Sequence, residues 1–350
     1  MAPNSRFVLC AAAAACAMTA TTLASRDAAA FCRTVTAAVP AGYDPVSQGC
    51  FEAQGGAGIF LLYWKNLCVG YSLQKDASPL RGITLAQAQS IAGEAFAQWG
   101  GAACPGGGTP SVQAFDEGAV DCDKVEYNSA APNQHVIIFR DDGWPYDDSS
   151  NTLGLTTVTY DTTDGEIYDA DMELNSRDYD LVVTSPAPSG AYDLASVITH
   201  EAGHFLGLAH SADATAVMYA HYQPGASTPT TDDIEGICTI YPPGGQRATS
   251  AGNLAGDSCD PTPRHGFSTQ CGSDIDAGAL DGSGGTTTGG KSAKCSIGKA
   301  PGARGGASWL LAGTVVGGLL VRRARRRARG ACAPSLAAWR SGWPPGRLSR

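Results

Sequence analysis

His200-Glu201-Ala202-Gly203-His204-Phe205-Leu206-Gly207-Leu208-Ala209-His210 is the stretch on which the reading of the whole chain turns. Residues four apart on a helix share a face, so His200 and His204 point the same way. Two imidazoles at that spacing can ligate one zinc ion. Glu201 follows directly, beside the metal without being needed as a ligand, where it can take a proton from the water that such an ion acidifies. Gly207 lacks a Cβ, so the helix can end there in a left-handed turn and bring His210 back as a third ligand. Three protein ligands leave the fourth position open, the mark of a catalytic zinc rather than a structural one. The chain has six histidines, and four of them (His200, His204, His210 and His221) fall in this neighbourhood. A bare H-E-x-x-H arises by chance far more often than the same string extended by Gly207 and His210, so the longer pattern carries the reading.

The flanks narrow it. Ser211 follows the third histidine, and Ala216-Val217-Met218-Tyr219 comes soon after. This resembles the Met-turn of the metzincins, in which a methionine, here Met218, lies beneath the metal. The spacing from His210-Ser211 to Val217-Met218-Tyr219 resembles the matrixin branch. So does Thr231-Asp232-Asp233-Ile234-Glu235-Gly236-Ile237, ending at Ile240-Tyr241, which is similar to the last helix of matrixin catalytic domains. The strong resemblance covers about residues 193–241 and a weaker one reaches back to about Leu61. It implies an α/β (α+β) metzincin fold: a twisted mixed β-sheet, three main helices and zinc at the floor of a cleft. The site residues it implies are His200, His204 and His210 on zinc, Glu201 as the catalytic base, and Met218 below. The activity implied is zinc-dependent endopeptidase cleavage of protein or peptide substrates. The alternatives are a non-catalytic adhesion or recognition module on the same scaffold, which would have no use for Glu201, and an esterase or amidase.

Where matrixins continue Pro-x-Tyr after the Met-turn, this chain has Ala220-His221-Tyr222, so the wall of the pocket differs. As a fourth ligand, His221 would close the zinc site. Matrixins also hold a second, structural zinc through histidines, and residues 136–199 contain none. Asp141, Asp142, Asp161, Asp164, Asp169 and Asp171 offer oxygens for calcium instead, although no EF-hand loop is present. The matrixin propeptide motif around a zinc-blocking cysteine is absent. Cys32 or Cys50 could take that role, but a disulfide is the simpler use for them.

Composition bounds the rest. Residues 31–290 hold nine lysines and arginines against thirty-two aspartates and glutamates, a net charge of −23. So acidic a segment repels phosphates, which argues against nucleic acid as a partner. Arg6 followed by an apolar, alanine-rich run to Leu23 reads as a signal peptide over residues 1–30, cleaved after Ala24 or Ala30. Export permits disulfides, and Cys32, Cys50, Cys68, Cys104, Cys122 and Cys238 form an even set in the body.

Residues 31–60 then form a short disulfide-tied piece, and 61–243 the catalytic domain. Phe60–Trp64 and Leu67–Leu73 read as strands. Thr84 with Gln87 makes a capping box for an amphipathic helix that buries Trp99 and ends at Gly100-Gly101. His135–Phe139 is apolar on both faces and so central in a sheet. Leu155–Tyr160 and Ile167–Asn175 form a hairpin, one strand of which would receive an extended peptide in a metzincin. Asp193 is the N-cap of the active-site helix. Residues 244–305, rich in Gly, Ser, Thr and Pro, read as a flexible linker, with Cys259 and Cys271 closing one small loop. Residues 306–330 combine an apolar run with six arginines. With Cys295 upstream they resemble a MYXO-CTERM sorting tail, which implies processing near Cys295 and delivery to the cell surface or outer membrane. A plain membrane anchor is the alternative. Residues 331–350 suggest no role. The expected protein is an exported monomer, held at the membrane by its tail or released.

Overall fold

The computed structural model describes residues 31–37, 39–40, 43–51, 58–147, 151–272, 291–298 and 333–334. The proposed signal peptide and the 306–330 segment lie outside these residues. Among the described residues no helix is long and apolar enough to cross a membrane.

The frame is a mixed sheet. Its main strands are β1 (Cys68–Gln74), β2 (Gln113–Val120), β3 (Val136–Phe139), β4 (Thr152–Tyr160) and β5 (Ile167–Leu174). Their spatial order is β4-β5-β3-β1-β2; β5, β3, β1 and β2 run parallel and β4 antiparallel. β3 is central, as its unbroken apolar run requires. Among the described residues three helices exceed a single turn: α1 (Leu85–Gly100), α2 (Leu194–Phe205) and α3 (Thr231–Ile240). This is the mixed α/β architecture expected from the sequence.

Local chemistry sets the helix ends. The Thr84 hydroxyl accepts from the Gln87 amide at 3.3 Å, and the Gln87 side chain accepts from the Thr84 amide at 3.0 Å. Asp193 accepts from the Ser196 amide at 2.8 Å and so starts α2. Trp99 is fully buried and donates its indole N–H to the Thr199 carbonyl at 2.8 Å, which locks α1 against the active-site helix.

Three expectations (a strand at Phe60–Trp64, a linker from residue 244, and a loop closed by Cys259 and Cys271) need correction, and β2 is a strand outside them. Phe60–Trp64 forms no strand; Leu61 and Tyr63 make only isolated bridges, to Val35 and Glu166. β2 was not legible, because Gln113–Val120 is half-exposed and lacks alternation; its parallel pairing to β1 makes it a strand. The linker reading fails over 244–272. Residues Gln246–Thr249 and Gly252–Ala255 form a hairpin, and disulfides Cys68–Cys259 and Cys122–Cys271 tie the segment to the sheet. Cys259 and Cys271 therefore do not pair with each other. Arg247 is fully buried there, donating to the carbonyls of Trp64, Asn66 and Gln246 and to the Ser111 hydroxyl. Cys32–Cys50, which removes both thiols as zinc blockers, and Cys104–Cys238 are further disulfides between described residues, and Cys295 is disulfide-bonded as well.

His135 is structural, with a consequence for stability. It is buried beside Trp64, its Nδ1 lies 2.8 Å from the Gly70 carbonyl, and burial lowers its pKa to about 4. The unfolded chain takes up this proton first, near pH 6.5, so its contribution is complete above that pH and is lost as pH falls toward 4. Asp169, whose Oδ1 lies 3.8 Å from His135 Nε2, and Asp171 are both raised by burial and act in the opposite sense. In His135→Phe the loss of unfolding free energy between pH 7 and pH 4, read from urea titrations, should shrink by about 3 kcal/mol. An unchanged pH profile would contradict this.

Candidate active site

α2 crosses beneath β4 with every residue from Ser196 to Phe205 buried. Its sequence gives one apolar side, Leu194, Val197, Ile198, Ala202 and Phe205, for the core, and leaves His200, Glu201 and His204 for the cleft. The helix stops at Phe205, and Gly207 then takes φ +95°, a region that a side chain would strain. The chain turns back through Leu208-Ala209 to His210. That return strand pairs with Cys32-Arg33, so the N-terminal piece docks beside the third histidine.

The three imidazoles converge. Ring nitrogens of His200, His204 and His210 all lie within 4.8 Å of one another. His200 Nδ1 is 2.6 Å from the Val217 carbonyl and His204 Nδ1 is 2.9 Å from the Leu208 carbonyl. A carbonyl only accepts, so each Nδ1 carries the proton and each Nε2 presents a lone pair. Those two Nε2 atoms face each other at 3.1 Å. Two lone pairs that close repel unless a cation lies between them. Burial, together with the neighbouring imidazoles, lowers the pKa of His200 to about 3 and that of His204 as well, which keeps both neutral. Neutral, oriented, converging nitrogens fit a zinc ion.

Glu201 is fully buried and points the other way along the cleft, toward β4. Thr156 donates to its Oε2 at 2.6 Å, and the amide of Ile297 donates to Oε1 at 3.2 Å. Burial raises its pKa to about 8, with those hydrogen bonds pulling down. A carboxyl poised near neutrality can both take and return a proton.

Met218 lies beneath the helix. A Cβ at Gly203 would come 2.2 Å from its sulfur, so only glycine lets the turn approach α2 so closely. The turn is held by a residue that the motif reading passed over. Asp233 of α3 accepts from the amides of Val217 at 2.8 Å and Met218 at 3.0 Å, and from Thr230. Ser211 similarly donates to Asp232 at 2.6 Å.

His221 stands apart from the histidine trio. It stacks edge-on with Tyr219 and lines a small pocket with Ser196, Ala216, Val217, Gln223, Ala226 and Ile297. The next residue, Tyr222, donates to Asp193 at 2.6 Å and so ties the pocket wall to the start of α2. Three of the six acidic side chains read as calcium donors are drawn into separate protein networks. Asp141 accepts from Ser78 and Leu80, Asp161 from Thr163 and Tyr168, and Asp171 from Val136 and Glu126. Of the two hairpin strands considered as a peptide-binding edge, β5 is internal and β4 flanks the catalytic helix.

A sequence profile of the matrixin family matches residues 63–242. Metalloendoproteinase 1-MMP of Arabidopsis thaliana is 36% identical over 104 residues, 29% of this chain and 27% of that protein. Metalloendoproteinase 1 of Glycine max is 40% identical over 104 residues, 29% and 32% of the two chains. Interstitial collagenase of Bos taurus is 43% identical over 70 residues, 20% and 15%. The aligned part thus spans about a third or less of these relatives.

Proposed function

Since the chain belongs to the matrixin family, we propose that it is an exported zinc metalloendopeptidase that cleaves extracellular proteins or peptides. The observation that carries this is the pair of facing Nε2 lone pairs of His200 and His204, with His210 closing the set and a buried Glu201 alongside.

Zinc held by His200, His204 and His210 would acidify a water molecule and polarise the scissile carbonyl. Glu201 takes the proton from the attacking water and passes it to the leaving amine. Thr156 steers Oε2, and Oε1, to which the Ile297 amide donates in this structure, is the oxygen for that exchange once the amide is displaced. The Val217 and Leu208 carbonyls fix the imidazole tautomers. The outer edge of β4, paired in this structure with residues 291–298, is the edge that an extended peptide would take in their place, with a side chain directed to the pocket beside His221. The buried, correctly placed Glu201 favours an enzyme over a recognition module. Four disulfides among the described residues suit an oxidising, exported setting. Delivery by the 306–330 tail belongs to the same reading, and calcium has no part in the chemistry at Glu201.

The test uses the chain through its C-terminus, because a cut at residue 245 would sever Cys68–Cys259 and Cys122–Cys271. One zinc per chain, with chelator-sensitive cleavage in a peptide library, is expected. A folded chain that takes up no zinc would overturn the reading.

A further inference from the structure

The edge of β4 is already covered. Residues Lys291–Gly298 form a strand, β6, antiparallel to β4, with Cys295 opposite Thr156, Ser296 opposite Leu155 and Ile297 opposite Gly154. On its other side the Gly298 amide donates to the Ala220 carbonyl at 2.9 Å, and the Gly298 carbonyl accepts from the Tyr222 amide at 2.8 Å. β6 therefore runs between the sheet edge and the pocket wall, bonded to both.

Its side chains follow. Ile297 is 3% exposed and forms one wall of the small pocket that it lines with Ser196, Ala216, Val217 and His221. Its amide nitrogen is the one bonded to Glu201 Oε1 at 3.2 Å. The Ser296–Ile297 peptide bond is thus presented to the catalytic carboxyl, with the residue on its C-terminal side packed against the pocket's other lining residues. A composition-led reading placed this segment in a linker.

We propose that residues 291–298 are an intramolecular occupant of the substrate groove. They bind as a peptide substrate would, with Ile297 as the anchor, and exclude outside peptides. This rests on the endopeptidase reading of the same site. Eighteen residues separate Lys291 from Gly272, which lies beside the anchored Cys271. That short separation in sequence, together with the disulfide that Cys295 makes from within the strand, keeps the local concentration of β6 high, so an outside peptide competes at a disadvantage without β6 needing strong intrinsic affinity. Ile297 contributes a buried aliphatic side chain, so a charge at that position should empty the groove.

The experiment compares the zinc-loaded full chain with Ile297→Asp and Ile297→Leu. Hydrogen exchange reports the strand without needing activity. Amides of 291–298 should be protected in the parent and in Ile297→Leu, and should exchange at least about tenfold faster in Ile297→Asp, the factor expected from losing one buried aliphatic anchor. Protection in α1 serves as the control for an intact fold. With a quenched peptide, Ile297→Asp should raise kcat/KM by a similar factor, mainly through KM. Unprotected 291–298 amides in the parent, or protection unmoved by Ile297→Asp, would overturn the proposal. If exchange shifts as expected but no variant cleaves any peptide, the endopeptidase reading fails while the strand assignment stands.

Discussion

Glu201→Gln should lower kcat by about three orders of magnitude while the chain still binds one zinc. The substitution keeps size and shape, removes the ability to take up a proton, and puts an amide NH2 in place of the oxygen that accepts from the Ile297 amide. An amide oxygen can still accept from Thr156, now at 2.6 Å, and the three histidines, whose orienting carbonyls belong to Val217 and Leu208, are untouched. The fold should not weaken, because burial already disfavours the charge on this carboxyl and raises its pKa to about 8. Metal analysis and turnover of one peptide, measured together, separate the two roles. Made in the Ile297→Asp background as well, the comparison removes any difference in how tightly β6 sits against Glu201. Retained turnover with retained zinc would show that another group takes the proton. Loss of zinc would show that Glu201 supports the metal site rather than the chemistry.

The parts of the fold readable from the sequence are those whose signals are local. Asp193 and Thr84 announce helix starts because a capping side chain acts within three residues. Gly207 announces the return of His210 because a left-handed turn needs a missing Cβ. His200, Glu201 and His204 share one helix, so their relation is fixed by the helical repeat. What stayed hidden is non-local. Cys68 finds Cys259 across a sequence separation of 191, and Cys122 finds Cys271 across 149, pairings that spacing cannot select. Arg247 sits in a stretch whose glycines and serines suggest solvent, yet carbonyls from Trp64 and Asn66 and the Ser111 hydroxyl converge on its guanidinium. β6 has no apolar alternation of its own; its strand character comes from the open edge of β4 and the carbonyl of Ala220, both far away in the chain. Composition reports what a segment could bury alone, and each of these segments is ordered by a partner.

Asp233 lies in the last-helix stretch that resembles matrixins without being marked there as a site residue, and Asp233→Ala carries the second large expected effect. Its carboxylate is the acceptor for the Val217 and Met218 amides and for both donors of Thr230, so one side chain joins the Met-turn to the first turn of α3. Burial raises its pKa, and the same hydrogen bonds pull it back down. Alanine would leave the turn amides buried without an acceptor, at about 1–3 kcal/mol for each, so a loss of about 3–5 kcal/mol in unfolding free energy is expected. The damage should reach the metal. Val217 supplies the carbonyl that fixes the His200 tautomer at 2.6 Å, and a turn free to shift would no longer hold that ring for zinc. Zinc affinity, measured against a competing chelator, should fall at least about tenfold, in line with the loss of an orienting partner. Asn at 233 keeps one acceptor oxygen and should recover part of both losses, since it can serve one turn amide but not two while still accepting at Thr230. If Asp233→Ala lowers stability yet leaves zinc affinity intact, the turn is a packing element only. If both fall together and Asn restores both in part, the last helix of the domain, through one carboxylate, positions the first zinc ligand.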